Sequence, residues 1–262
     1  MKKFLCLAIA LVMCACVFAS CAQKNDKLIV GYTIYEPMNY EENGKLVGFD
    51  TELAEAVAKE LDMDVEFKLI NWSSKYMELE SGNINCIWNG FTSNVADDDG
   101  VQRKDKVDFS YAYMKNEQCV VIRKDDADKY TTAESLAGKS GAAEAGSAGE
   151  SVAKGFATES GKFTACTAQT TTLTELMGKK VDFVVIDKTM AKTLIGKGNY
   201  SGLAMVETIE IPSEEYSIGF KKGSELTEKV NGALETLAAN GTMKSLAEKY
   251  GLENYVITEF NK

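Results

Sequence analysis

Gly44-Lys45-Leu46-Val47-Gly48-Phe49-Asp50 runs into Leu53, Val57 and Leu61, which recur at helical spacing with Ala54 and Ala58 beside them. Asn43-Gly44 ahead of this stretch marks a turn, and Asp50 is placed to cap the helix that follows. On the N-terminal side, Lys27 to Thr33 (KLIVGYT) reads as a buried strand. On the C-terminal side, Val65 to Ile70 is a second strand, Trp72 to Glu80 a second helix and Asn85 to Trp88 a third strand. Strands alternating with helices predict an α/β fold with a mostly parallel sheet flanked by helices.

The alternation restarts near Gln118 to Arg123 (QCVVIR). Thr131 with Glu134 forms a capping-box pattern, Lys139 to Ala145 is a weak strand, and Gly146-Ser147-Ala148-Gly149 opens a helix. Thr172 with Glu175 caps another helix, and Val181 to Ile186 (VDFVVI) is a strong strand ending at Asp187. Leu226, Val230 and Leu234 mark a helix that Asn240-Gly241 breaks, and Met243, Leu246 and Tyr250 mark the last one. The pattern is two similar α/β units without a detectable sequence repeat.

A chain of 262 residues with 45% hydrophobic and 26% charged residues has an ordinary globular composition. Its net charge of -10 argues against a nucleic-acid partner, because neutralising phosphates needs clustered Lys and Arg. The sequence contains no histidine, which removes the usual general base and the commonest zinc ligand. No metal, no cofactor and no enzymatic activity are therefore expected. Asp97-Asp98-Asp99-Gly100 has the outline of a calcium loop, but the register puts Lys106 where a Glu ligand belongs. Gly138-Lys139-Ser140 looks like the end of a phosphate loop, yet Ala133 stands where Gly is required.

Met1-Lys2-Lys3 followed by the apolar run Phe4 to Ser20 has the parts of a secretory signal. Phe18-Ala19-Ser20-Cys21 resembles a bacterial lipobox, in which the cysteine is acylated after cleavage. Residues 1–20 are thus expected to be a lipoprotein signal peptide, Cys21 the lipid attachment site and residues 21–27 a linker. Cys6, Cys14 and Cys16 would leave with the leader. Cys86, Cys119 and Cys166 are odd in number and widely spaced, so they read as buried small hydrophobes rather than a disulfide framework.

The Gly44–Asp50 stretch with its helix is similar to the polar amino-acid binding proteins of ABC importers. So are Ser81 to Thr92 (SGNINCIWNGFT), Lys106 to Ser110 (KVDFS), Ser135 to Lys139 (SLAGK), Val181 to Asp187 and Asn240-Gly241-Thr242. Six such pieces in the family's order cover nearly the whole mature chain. The resemblance implies a type II periplasmic-binding-protein fold of two lobes joined by a two-strand hinge. Residues 28–113 and 214–262 would form lobe 1, and residues 118–210 lobe 2. It also implies a monomeric, membrane-anchored protein outside the cytoplasm that hands a small polar or cystine-like amino acid to an ABC permease.

A free amino acid offers a carboxylate and an ammonium, and both must be paired once removed from water. Arg103 is the candidate carboxylate clamp. It keeps the family's five-residue spacing to Asp108, although Ser93 to Gly100 is an insertion ahead of it. Thr92 would donate to the same carboxylate, the Gly90 carbonyl would accept from the ammonium, and Gly146 and Ser147 would offer helix-start amides from the other lobe. Asp187 would take the ammonium, and it doubles as a helix N-cap. Tyr35 and Phe49 match positions where family members sandwich the ligand's side chain, while Tyr32 and Glu144 are expected to tune specificity. Trp88 reads equally as core. The rival readings are a secreted dehydratase-like enzyme of the same fold and a ligand-sensing domain.

Overall fold

The computed structural model describes residues 26–158 and 161–260. The expected signal peptide and Cys21 lie outside the described residues. In chain order the first lobe contributes β1 (Lys27–Tyr32), a hairpin of β2 (Tyr40–Glu42) and β3 (Lys45–Val47), α1 (Phe49–Glu60), β4 (Asp64–Leu69), α2 (Lys75–Glu80), β5 (Cys86–Ile87), α3 (Arg103–Lys106) and β6 (Asp108–Phe109). Then follow β7 (Met114–Arg123), β8 (Gly141–Glu144), α4 (Ala148–Phe156), β9 (Phe163–Cys166), α5 (Gln169–Met177), β10 (Phe183–Asp187), α6 (Lys188–Leu194) and β11 (Leu203–Met205). The chain returns through β12 (Ser213–Tyr216), β13 (Gly219–Phe220), α7 (Leu226–Ala239) and α8 (Thr242–Lys249).

Two sheets result, ordered β4-β1-β5-β13-β6 and β11-β7-β10-β8-β9. The first three strands of the first sheet and the last three of the second are where the parallel pairing lies: β1 pairs in parallel with β4 and β5, and β8 with β9 and β10. Every strand that follows a crossing between lobes runs the other way, so β13 is antiparallel to β5 and β7 to β10. The two crossings pair with each other, Met114 opposite Tyr216 and Glu117 opposite Ser213, which makes the two-strand hinge. The helices α7 and α8 pack back on α1, closing the apolar face that Leu53, Val57, Val230 and Leu234 supply. Cys86, Cys119 and Cys166 are all free thiols in the interior.

Three helix starts differ from the sequence reading. Gly48, not Asp50, is the N-cap of α1, with φ of 128° and no room for a Cβ, which would lie 2.2 Å from the Met38 carbonyl oxygen. The backbone is pressed so closely there that Asp50 turns inward instead. Its Oδ2 accepts from the Gly90 N–H at 2.8 Å and the Tyr113 hydroxyl at 3.0 Å. The capping box is made by Thr132 and Ser135, one residue later than Thr131 and Glu134. Thr172 lies inside α5, where its hydroxyl donates to the Gln169 carbonyl at 2.6 Å, so the helix starts at Gln169 with Ala168 as N-cap.

Candidate ligand-binding cleft

A small polar cleft, with a cavity volume of only about 10 Å³, lies between the two sheets, at the carboxyl ends of their parallel strands. Trp72, Asn89, Gly90, Thr92 and Arg103 line it from the first lobe. Glu144, Ser147, Ala148, Gln169 and Asp187 line it from the second.

The insertion at Ser93 to Gly100 leaves Arg103 at the cleft. It folds back on itself: Ala96 bridges Gln102, the Asp97 N–H donates to the Val101 carbonyl at 3.0 Å, and Gly100 turns the chain with φ of 78°. Arg103 is 1% exposed. It donates from Nε to Asp97 Oδ1 at 2.7 Å, from Nη1 to the Thr92 carbonyl at 3.1 Å and from Nη2 to the Gly146 carbonyl at 3.1 Å. A guanidinium carries five N–H groups, so two remain beyond these three. Burial alone would raise Asp97, but Arg103, Lys106 and the Tyr76 hydroxyl hold its carboxyl down at about 2. The neighbouring acids are likewise paired, Asp99 with Lys106 and Asp98 with Lys154 of α4.

Gly146 and Ser147 open α4, but their amides are already engaged. The Gly146 N–H donates to Glu150 at 2.6 Å and the Ser147 N–H to the Glu144 carbonyl at 3.1 Å. The expected role for these two amides is therefore corrected. The tight turn at Gly146, with φ of 75°, folds both N–H groups into the helix start, and Ala148 is the next residue to face the cleft. The Gly146 carbonyl instead accepts from two cations of the first lobe, Arg103 and Lys75, the latter at 2.9 Å. Lys75 is buried against the rings of Trp72 and Tyr76, and this desolvation, with the Arg103 charge adding, lowers its ammonium to about 7. Glu144 ends β8, 4% exposed, and burial pushes its carboxyl up to about 8.

Asp187 ends β10 at the cleft, and it occupies the N-cap position of α6 without capping through its side chain. Its carboxylate accepts from Gln169, from Asn116 at 2.8 Å, from Gln118 at 2.7 Å and from the Tyr216 hydroxyl at 2.8 Å. Asn116 and Gln118 also donate to Glu214, at 2.6 and 2.8 Å, so two acids share two amides in the hinge. Burial raises both acids, Glu214 to about 7, and the Asp187 charge raises Glu214 further. Two adjoining buried carboxylates do not both ionise readily, so the pair keeps a proton near neutral pH.

Gly90 and Thr92 line the cleft. Gly90 has φ of 59°, and a Cβ there would sit 2.7 Å from the Tyr35 ring. Tyr35 thus lies one layer behind the wall, its hydroxyl 2.8 Å from that of Tyr216, and Phe49 packs on Tyr113 in the core. In this conformation neither ring lines the cleft: Gly90 presses on the Tyr35 ring, and Phe49 is fully buried at the start of α1. Trp88 is also core, with its indole N–H beside the buried Asp50 carboxyl. The aromatic wall of the cleft is Trp72, which single-residue reading passed over as the start of a helix. Lys75, Asn89, Gln169 and the hinge trio of Asn116, Gln118 and Glu214 were missed as well. The available signal was the alternation of uncharged Asn116 and Gln118 with charged Lys115 and Glu117 at the start of β7.

Residues 28–253 match the family of bacterial extracellular solute-binding proteins, family 3. The chain is 34% identical over 273 residues to the probable amino-acid-binding protein YxeM of Bacillus subtilis (strain 168), covering 99% of this chain and 98% of that one. Among solved structures, an ancestral arginine-binding protein bound to arginine superposes with a TM-score of 0.77 at 32% identity, over 87% of this chain and 99% of that one. The ancestral amino acid-binding protein AncCDT-1, a precursor of cyclohexadienyl dehydratase, gives a TM-score of 0.74 at 30% identity, over 86% and 95%.

Proposed function

The chain belongs to the bacterial extracellular solute-binding proteins, family 3, and from that premise we propose that it captures a small amino acid outside the cytoplasm and delivers it to an ABC permease. The observation that carries this reading is one buried cleft with an arginine on one wall and an aspartate on the other. Arg103 keeps two N–H groups for a carboxylate, and Thr92 adds a hydroxyl. The Asp187 carboxylate answers the ammonium, which supplies the positive charge that the Asp187–Glu214 pair lacks, so binding expels the shared proton. The Gly90 carbonyl is a second acceptor. Each lobe holds one end of the zwitterion, so the ligand favours the closed state by the contacts that exist only there.

The protein acts as a monomer, tethered to the membrane through a lipid on Cys21 and without cofactor. It binds without turning its ligand over. Calorimetric titration with the twenty amino acids and cystine, followed by Arg103→Ala and Asp187→Asn, tests the site. If neither substitution weakens the tightest ligand, the assignment is wrong. Palmitate labelling that persists in Cys21→Ala would refute the anchor.

One observation favours a second reading, a dehydratase-like enzyme: Glu144, with its carboxyl at about 8, is a proton-carrying acid in the cleft. Loss of the bound ligand to a dehydrated product over hours would establish it, and recovery of unchanged ligand would remove it.

A further inference from the structure

The amino-acid reading accounts for Arg103 and Asp187 but leaves a third charged residue on the cleft wall without a task. Glu144 is 4% exposed, lines the cleft, and its Oε1 is buried without a hydrogen-bond partner among the described residues. Its fellow acid Asp187 has four donors. The two cations near Glu144 are committed elsewhere. Lys75 donates to the Gly146 and Trp72 carbonyls, and Arg103 to Asp97, Thr92 and Gly146. A buried carboxyl oxygen without a donor is costly, the more so when charged, so a closed state that leaves it so is incomplete.

We infer that Glu144 is the specificity-determining residue of the cleft and that the ligand it completes is an amino acid with a cationic side chain. This rests on the reading of the cleft as an amino-acid site. The α-carboxylate and α-ammonium are answered by Arg103 and Asp187, so Glu144 recognises nothing common to all amino acids and must read the side chain. A cation supplies the donor that Glu144 lacks together with the charge that its ionised form needs. A neutral side chain leaves the oxygen bare, and an acidic one adds a third carboxylate beside Asp187 and Glu144. Trp72 on the facing wall gives the aliphatic stem of such a side chain an apolar surface and its cation an aromatic ring.

The test is calorimetry on the full chain with lysine, ornithine, arginine, glutamine, alanine and glutamate, repeated with Glu144→Gln. At least one cationic amino acid is expected to bind about tenfold or more tightly than glutamine, since a single discriminating charged contact is worth that much. Glu144→Gln should cost that ligand about tenfold while changing glutamine less than about threefold. Glutamine or alanine binding as tightly as every cationic ligand overturns the inference, with no variant needed. So does a folded Glu144→Gln that keeps cationic affinity within about twofold. In either case amino-acid binding that still requires Asp187 leaves the proposed function standing, whereas no binding of any amino acid removes both.

Discussion

Arg103 Nη2 and Lys75 Nζ, both from the first lobe, meet at a single oxygen of the second, the Gly146 carbonyl, at 3.1 and 2.9 Å. This is a latch across the cleft, and it sits at the turn that opens α4. Contacts made only in the closed state add to apparent affinity by holding that state populated. Among the described residues, Lys75 has no hydrogen-bonded partner in its own lobe beyond the Trp72 carbonyl. Lys75→Met should therefore weaken the tightest ligand by about tenfold in calorimetry while retaining its rank order among amino acids. Unchanged affinity would show that the latch contributes nothing to closure.

Asp97 holds Arg103 by a hydrogen bond from Nε, and it is itself tied to Lys106 and Tyr76. Asp97→Ala is expected to lower affinity by about tenfold through loss of positioning, and Asp97→Glu to restore part of it. The adjoining pair Asp98–Lys154 spans the lobes, but its side chains are 49% and 37% exposed. Exposed pairs contribute about 0–1 kcal/mol. Asp98→Ala should thus stay within about threefold of wild type, and a larger loss at Asp98 than at Asp97 would reverse the assignment.

The acids buried behind the cleft set a pH dependence of stability in the ligand-free protein. Glu214, usually near 4.5, is raised to about 7, and Asp50 also to about 7. Between pH 4.5 and 7 the folded chain retains protons that the unfolded chain has released, so stability falls as pH rises through that window. Asp97, held at about 2, acts at lower pH. Lys75, lowered to about 7, acts above it and in the opposite sense, since there the unfolded chain binds the extra proton. Thermal melts should show a Tm lower at pH 7 than at pH 5 by about 3 °C or more. Glu214→Gln should flatten that slope, and an equal slope in the variant would exclude the hinge pair as its source.

Gly90 combines φ of 59° with close approach to the Tyr35 and Tyr216 rings, and its N–H is held by Asp50. Gly90→Ala is expected to destabilise the fold by about 1–3 kcal/mol and to reduce ligand affinity, because Tyr216 also donates to Asp187. Gly82, with φ of 74° but open space around it, should tolerate Ala at about 1 kcal/mol and leave binding unchanged. Equal binding defects at the two positions would argue against a packed wall behind the cleft.

Much of this architecture was readable because period and chemistry coincide. Val181 to Asp187 is apolar until its final acid, and that acid emerges at the cleft. The insertion before Arg103 was legible as an insertion but not as a folded-back turn, since the Ala96–Gln102 bridge depends on backbone pairing that no composition reveals. Tyr35 and Phe49 carry the right chemistry for a ligand sandwich, yet depth separates a wall from the layer behind it, and only Gly90 and the Gly48 contact fix that depth. Two of the three capping differences share one cause. Asp50 and Thr172 satisfy a local pattern, but tertiary partners offered each side chain a different bond. Lys75 looks like a surface charge along the chain and becomes buried at the site only when the second lobe covers it.

The central claim is that Arg103 answers the ligand's carboxylate, and a chemical double-mutant cycle tests it most directly. The tightest amino acid and its carboxamide analogue are titrated calorimetrically into wild type and Arg103→Ala. The account predicts a loss of about a hundredfold or more for the amide with wild type, and a loss of less than about threefold for the same change with Arg103→Ala, because the partner is already gone. Equal losses in the two proteins would contradict it, since the carboxylate would then be held by something other than Arg103.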